Sequence, residues 1–117
     1  MPDFSLLEAA NIMWREVRRR LFTPAEARRG LALLQAHVEP TPTTGMGLPH
    51  RAPEIGIATN HSTYDTMYVA FALAVGATGV VASDGAFVRA MRTHSDGAIA
   101  AMVQPLDAWA ASRGIGR

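Results

Sequence analysis

The chain contains no cysteine and no lysine, and only 7% of its 117 residues are aromatic. Without cysteine there is no disulfide, no thiolate metal site and no cysteine nucleophile, so any metal must be held by carboxylate, histidine or carbonyl groups. Without lysine, all eleven cations are arginines. Arginine's planar fork suits phosphate and carboxylate contacts, although a lysine-free, alanine-rich chain equally fits the base composition of a genome. Long hydrophobic runs are also missing. The best stretch, Met67 to Ala82, is broken by threonine and glycines and falls short of the ~20 residues of a membrane span. The first residues, with Pro2, Asp3 and Glu8, lack the basic-then-apolar order of a signal peptide. The sequence is therefore expected to belong to a soluble, cytoplasmic protein with no membrane partner.

What is present supports a folded domain. Hydrophobic residues make up 49% of the chain and charged residues 18%, which excludes a disordered polyelectrolyte. Eleven basic against ten acidic residues give a net charge of +1, which neither demands nor forbids a nucleic-acid partner. The length fits one domain spanning 1–117, and there is no internal repeat or obvious linker.

Phe4 to Leu21 reads as a helix, with Leu6, Ala9, Ala10, Met13 and Val17 at helical spacing and Leu7 and Trp14 widening the apolar face. Thr23-Pro24-Ala25-Glu26 is a helix start with a capping box and proline at the first position. That second helix runs to about Gln35, with Ala27, Leu31 and Leu34 inward. Val38 to Thr44 is a candidate strand demoted by Pro40 and Pro42, and a helix over Pro49 to Ala58 follows a turn. Ser62 and Thr63 are candidate caps for a helix ending near Gly76, with Tyr64, Met67, Tyr68, Phe71 and Val75 marking one face. Thr78 to Ala82 reads as a buried strand, Gly85 to Arg92 as a helix, and Ala101 to Leu106 as a last strand. Helices alternating with short apolar strands predict an α/β fold with a small parallel sheet.

Three acids lack an obvious structural partner. No arginine stands at helical spacing from Glu8, whereas Glu16 has Arg19 and Arg20 three and four positions on. Asp65 falls in the first turn of its helix, where a dipole-stabilising role is the plain alternative. Asp84 follows a strand and precedes a helix. It is either an N-cap or a site residue, because the carboxyl ends of parallel strands are where α/β proteins place their ligands. Carboxylates gathered at one sheet edge are ordinarily neutralised by a divalent cation, and oxygen-only ligation selects Mg²⁺ or Mn²⁺. A cation so held suits phosphodiester hydrolysis.

The run Asn60-His61-Ser62-Thr63-Tyr64-Asp65-Thr66-Met67-Tyr68-Val69-Ala70-Phe71-Ala72 resembles the tyrosine-aspartate helix signature of PIN domains, the ribonuclease toxins of VapBC toxin–antitoxin systems. Gly76-Ala77-Thr78-Gly79-Val80-Val81-Ala82-Ser83-Asp84-Gly85-Ala86-Phe87 is similar to the family's strand-end aspartate segment, and Leu7-Glu8-Ala9-Ala10-Asn11-Ile12-Met13-Trp14-Arg15 to its glutamate helix. The resemblance implies a PIN-like, three-layer α/β/α fold and a Mg²⁺-dependent endoribonuclease of the VapC type. It implies Glu8, Asp65 and Asp84 as catalytic, metal-holding residues, a cognate VapB-like antitoxin and a homodimer. Tyr64 and Tyr68 would be packing residues. PIN domains begin with a strand carrying a further aspartate, and a strand with its crossover needs about a dozen residues. Only seven residues precede Glu8, so an N-terminally truncated PIN-like chain without that strand is expected.

Weaker candidates for RNA or antitoxin contact are Arg15, Arg19 and Arg20, with Arg18, Arg28 and Arg29 nearby, against a solvated helix face as the plain reading. His61 either pairs with Asp65, approaches substrate, or is a surface or capping histidine. Ser83 is either a hydrogen-bonding neighbour of the site or a turn residue. Trp14 is expected in the core and Trp109 in a docked tail. Besides a ribonuclease, the sequence admits a non-catalytic remnant that keeps an antitoxin-binding or dimer surface, and a small α/β binding module whose acids are merely caps.

Overall fold

The computed structural model describes residues 1–114. They form two compact units, Met1–Thr43 and the chain from Thr44 onward.

The first unit is a helical hairpin. Helix α1 (Ser5–Arg18) ends at a turn in which Arg20 adopts φ 61° and the Leu21 amide reaches back to the Glu16 carbonyl. Left-handed backbone at this position normally falls to glycine. Helix α2 (Pro24–His37) starts as the sequence predicts: the Thr23 hydroxyl accepts from the Glu26 amide and the Glu26 carboxylate from the Thr23 amide. Gly30 lets the helices approach, since a Cβ there would stand 3.1 Å from the Met13 terminal methyl. The predicted strand over 38–44 is reduced to a single parallel bridge between Pro2 and Thr41, because Pro40 and Pro42 remove the amides a ladder needs. Asp3 fastens this end, accepting from both the hydroxyl and the amide of Thr43.

The expected core role of the α1 face is not met. No residue of α1 is buried, Leu7 is 78% exposed and Trp14 55%. Instead of entering a core, the Trp14 ring carries the Arg18 guanidinium 5.2 Å from its centre. Helical periodicity reveals an amphipathic face but not whether anything covers it.

The second unit holds nearly all the buried apolar residues. Helices α3 (Leu48–Thr59) and α4 (Thr63–Val75) form a tight antiparallel pair joined by Asn60, His61 and Ser62. Leu48, Ala52 and Ile55 of α3 and Val69, Ala70 and Ala72 of α4 are buried. The buried Thr66 hydroxyl donates to the Ala52 carbonyl at 2.7 Å, tying one helix to the other. Strand β1 (Val80–Ala82) and strand β2 (Val103–Pro105) pair in parallel with Val80 opposite Val103, connected through helices α5 (Gly85–Met91) and α6 (Gly97–Ala100). Helix α7 (Leu106–Ser112) follows β2 directly. Phe87, Val88, Met91, Ile99 and Val103 complete the core. The unit is thus mixed α/β, mostly helical, around a two-stranded parallel sheet.

Two expectations are corrected here. Tyr64 is not a packing residue: it is 86% exposed, and α4 buries Thr66, Val69, Ala70 and Ala72 instead of the Tyr64 face. A helix apolar on nearly every side gives no clear stripe, so the spacing selected the wrong one. Strand β1 is not fully buried, since Val81 is 41% exposed.

The capping box leads to two measurable outcomes. Thr23→Ala is expected to cost about 1 kcal/mol in thermal or denaturant unfolding. The Thr23 amide holds the Glu26 carboxyl below its ordinary range, and the Thr43 hydroxyl does the same to Asp3. Because both folded-state values are lowered, their contribution is complete at neutral pH and is lost as acid brings the pH down through them. Unfolding midpoints followed into acid should fall less steeply in a Glu26→Gln, Asp3→Asn double variant than in the wild type.

Candidate functional site

The candidate site lies in the second unit and starts from the corner between α3 and α4. Asn60 adopts φ 53°, and the His61 amide reaches back to the Gly56 carbonyl at 2.9 Å. This closes α3 in the Schellman manner with asparagine where glycine is usual. The corner is tight at Gly56: a Cβ there would meet the His61 carbonyl oxygen at 2.8 Å. Ser62 then caps α4 by accepting from the Tyr64 amide at 3.2 Å. Helix geometry places Asp65 one turn beyond His61, on the same side. The His61 Nε2 stands 2.8 Å from the Asp65 Oδ2, with the histidine side chain 16% exposed and the aspartate 36%.

On its other side the His61 ring stacks on Phe87 of α5, with centroids 5.1 Å apart and planes inclined by 27°. Phe87 is buried, and its amide donates to the Asp84 Oδ1 at 3.3 Å, while the Ala86 amide donates to the same oxygen at 2.9 Å. Asp84 is therefore the N-cap of α5, as one sequence reading allowed. Its Oδ2 takes no part in the cap, and the residue is exposed. Asp65 and Asp84 line one cleft of about 260 Å³, with Tyr68, Ser83 and the β1 backbone completing its wall. The cleft opens at the carboxyl end of β1, where parallel sheets commonly take ligands.

Of the residues singled out in the sequence, Asp65, Asp84 and Ser83 meet in this cleft, and His61 abuts it through Asp65 and Phe87. Glu8 belongs to the first unit, exposed on the first turn of α1. Arg15, Arg19 and Arg20 also belong to that unit, and Arg19 pairs loosely with Glu16 at 3.7 Å. Sequence reasoning missed Phe87 as a site-building residue. Its signal was present: an aromatic three positions after a strand-end aspartate, at the position whose amide an N-cap side chain satisfies.

The carboxylates of Asp65 and Asp84 are the oxygen donors in this cleft that could hold a hard cation. Two carboxylates facing one cleft are the anchors Mg²⁺ commonly uses, the remaining positions going to water and substrate oxygen. Among the described residues no group of three or more acids and histidines converges closely enough to hold an ion.

Gly56→Ala is expected to destabilise the fold by about 1–3 kcal/mol, because the added methyl must displace the backbone at His61. Proton–nitrogen spectra should show the His61 and Asp65 signals moving while those of α2 stay in place. An unchanged melting midpoint would contradict the tight corner.

Comparison of the chain with protein-family models, with curated protein sequences and with solved structures finds no match.

Proposed function

We propose that the chain is a Mg²⁺-dependent, PIN-like endoribonuclease of the VapC toxin type, with Asp65 and Asp84 as its metal-holding acids. The observation that carries this reading is the sharing of one cleft at the carboxyl end of β1 by these two carboxylates, each held by a named partner. The motif resemblance supplies the rest: the three-layer sheet architecture, a VapB-like antitoxin, a homodimer and a cytoplasmic setting.

In this reading each residue has a definable part. When bound, a divalent cation supplies charge neutralisation on the phosphate oxygens and lowers the pKa of a water molecule. Asp84 keeps Oδ1 on the α5 amides and offers Oδ2, so the cap fixes the ligand's direction. Asp65 keeps Oδ2 on His61 and offers Oδ1. His61 is a positioning residue, clamped between Asp65 and Phe87. Hydrolysis adds the water oxygen to phosphorus and breaks one phosphorus–ester bond; one of the water's protons goes to the departing oxygen, and the other leaves the new phosphate group for solvent. Ser83, at the mouth of the cleft, is placed to meet a phosphate or ribose oxygen.

A second reading has its own observation. Leu7, Trp14, Leu21, Phe22 and Leu33 of the first unit are all exposed apolar residues, as expected of a chain that survives as a docking surface without catalysis.

The deciding assay is cleavage of single-stranded RNA by the purified chain. Cleavage should require Mg²⁺ and stop with EDTA. Asp65→Asn and Asp84→Asn should each lower the rate about a hundredfold or more, and His61→Ala about ten- to a hundredfold. Asparagine retains the capping ability of Asp84, so an unchanged melting midpoint separates lost chemistry from lost folding. The role that the resemblance gives Glu8 is tested by Glu8→Gln in the same assay. A wild-type chain inert towards RNA in Mg²⁺ would overturn the ribonuclease reading and favour the second.

A further inference from the structure

A larger cleft, of about 480 Å³, lies beside the first and shares Ala82 and Ser83 with it. It is bounded by α5 on one side and by β2 and α7 on the other, and Arg89 of α5 and Arg92, the residue that caps the end of that helix, line it. Both are exposed, and among the described residues neither forms an ion pair. Asp107 is the one acid in the lining, and its Oδ1 already accepts from the Ala108 amide at 2.8 Å. The cleft therefore carries two cations against one carboxylate. Its remaining wall is apolar, with Val88, Pro105, Leu106 and Ala110.

The Arg89 Nη1 lies 3.0 Å from where a Cβ on Gly85 would stand, so the guanidinium lies back over the first turn of α5, in space that a side chain at Gly85 would share. Arginine forks bind phosphate oxygens in two-point fashion, and an apolar wall beside them accommodates a sugar or base face. The two clefts share Ala82 and Ser83 in their walls and so adjoin at the carboxyl end of the strand.

We propose that this second cleft is a phosphate-binding subsite that holds a single-stranded RNA by the backbone next to the bond presented to Asp65 and Asp84. It rests on the ribonuclease reading for the identity of the strand, but the binding it describes needs no cleavage. Arg89 and Arg92 engage successive phosphate oxygens, the apolar wall receives the adjoining nucleotide, and Ser83 stands where the two clefts meet.

The test is fluorescence anisotropy with an end-labelled single-stranded RNA of mixed sequence, in EDTA so that nothing is cut, across a series of salt concentrations. The full-length wild-type chain should bind, and an Arg89→Ala, Arg92→Ala double variant should bind about tenfold or more weakly. The slope of log affinity against log salt should flatten by about 0.7 for each arginine removed. If the double variant fails to fold by circular dichroism, Leu106→Trp fills the cleft without changing charge and should weaken binding in the same way. Binding by the double and filled variants equal to wild type overturns the proposal, as does a wild-type chain that binds no RNA. A mononucleotide binding as tightly as the strand, or an arginine-dependent preference for a polyglutamate peptide over RNA, also overturns it. Arginine-dependent RNA binding without Mg²⁺-dependent cleavage leaves the subsite standing and removes the ribonuclease reading. Cleavage with arginine-independent binding does the reverse.

Discussion

The hydrogen bond between His61 and Asp65 exists because Gly56 has no side chain. With nothing in its way, the backbone turns back on itself at Asn60 and brings the His61 carbonyl within 2.8 Å of where a methyl would have been. The corner sets His61 one turn ahead of Asp65, and the same ring then covers Phe87. A chain of contacts runs from Asp65 through His61 and Phe87 to the amide that Asp84 caps. The two carboxylates are thus referred to one backbone turn, although one sits on α4 and the other ahead of α5.

Each acid commits one oxygen to a structural hydrogen bond. A carboxylate has two oxygens and about four lone-pair sites, so an N-cap or a histidine partner does not exhaust it. For Asp84 the structural and functional readings, which looked exclusive in the sequence, are compatible: the cap aims the group and leaves an oxygen over. This arrangement also explains why asparagine is the instructive substitution there. It preserves the acceptor that folding uses and removes the charge that cation binding uses. Beside this cleft, with its two aspartates, lies the one lined by Arg89 and Arg92, so groups of opposite charge stand on either side of a single strand end.

Local chemistry was legible in the sequence wherever one side chain decides a backbone bond. The Thr23–Glu26 capping box, the Ser62 cap, the Gly76 end of α4 and the Asp84 cap all stand where their residue types place them. Asp65 and Asp84 line one cleft, whereas Glu8, expected with them, belongs to the first unit. What failed depends on what lies opposite. Nothing in the spacing of Leu7 and Trp14 reveals that their face stays exposed, and α4 offered several apolar stripes, so Tyr64 was placed inward. Thr66 is fully buried because its hydroxyl finds the Ala52 carbonyl fourteen residues away, which no local pattern encodes. Helices α6 and α7 escape for different reasons: α6 has four residues, too few for a period to repeat, and α7 starts at Leu106 directly after β2 with no turn residue between them.

The sheet that carries the site also sets the order in which it is expected to form. The α1–α2 and α3–α4 pairs join neighbouring segments through short turns, and contacts of such low sequence separation close on microsecond scales. Pairing of β1 with β2 must wait until α5 and α6 have bridged them, and each strand contributes only three residues to the ladder. Loop closure is then opposed by chain entropy with little hydrogen bonding to offset it until Phe87, Met91 and Ile99 are buried. Both clefts are therefore expected to form late in folding, since each needs the strand end they share, which is fixed only when β1 and β2 pair.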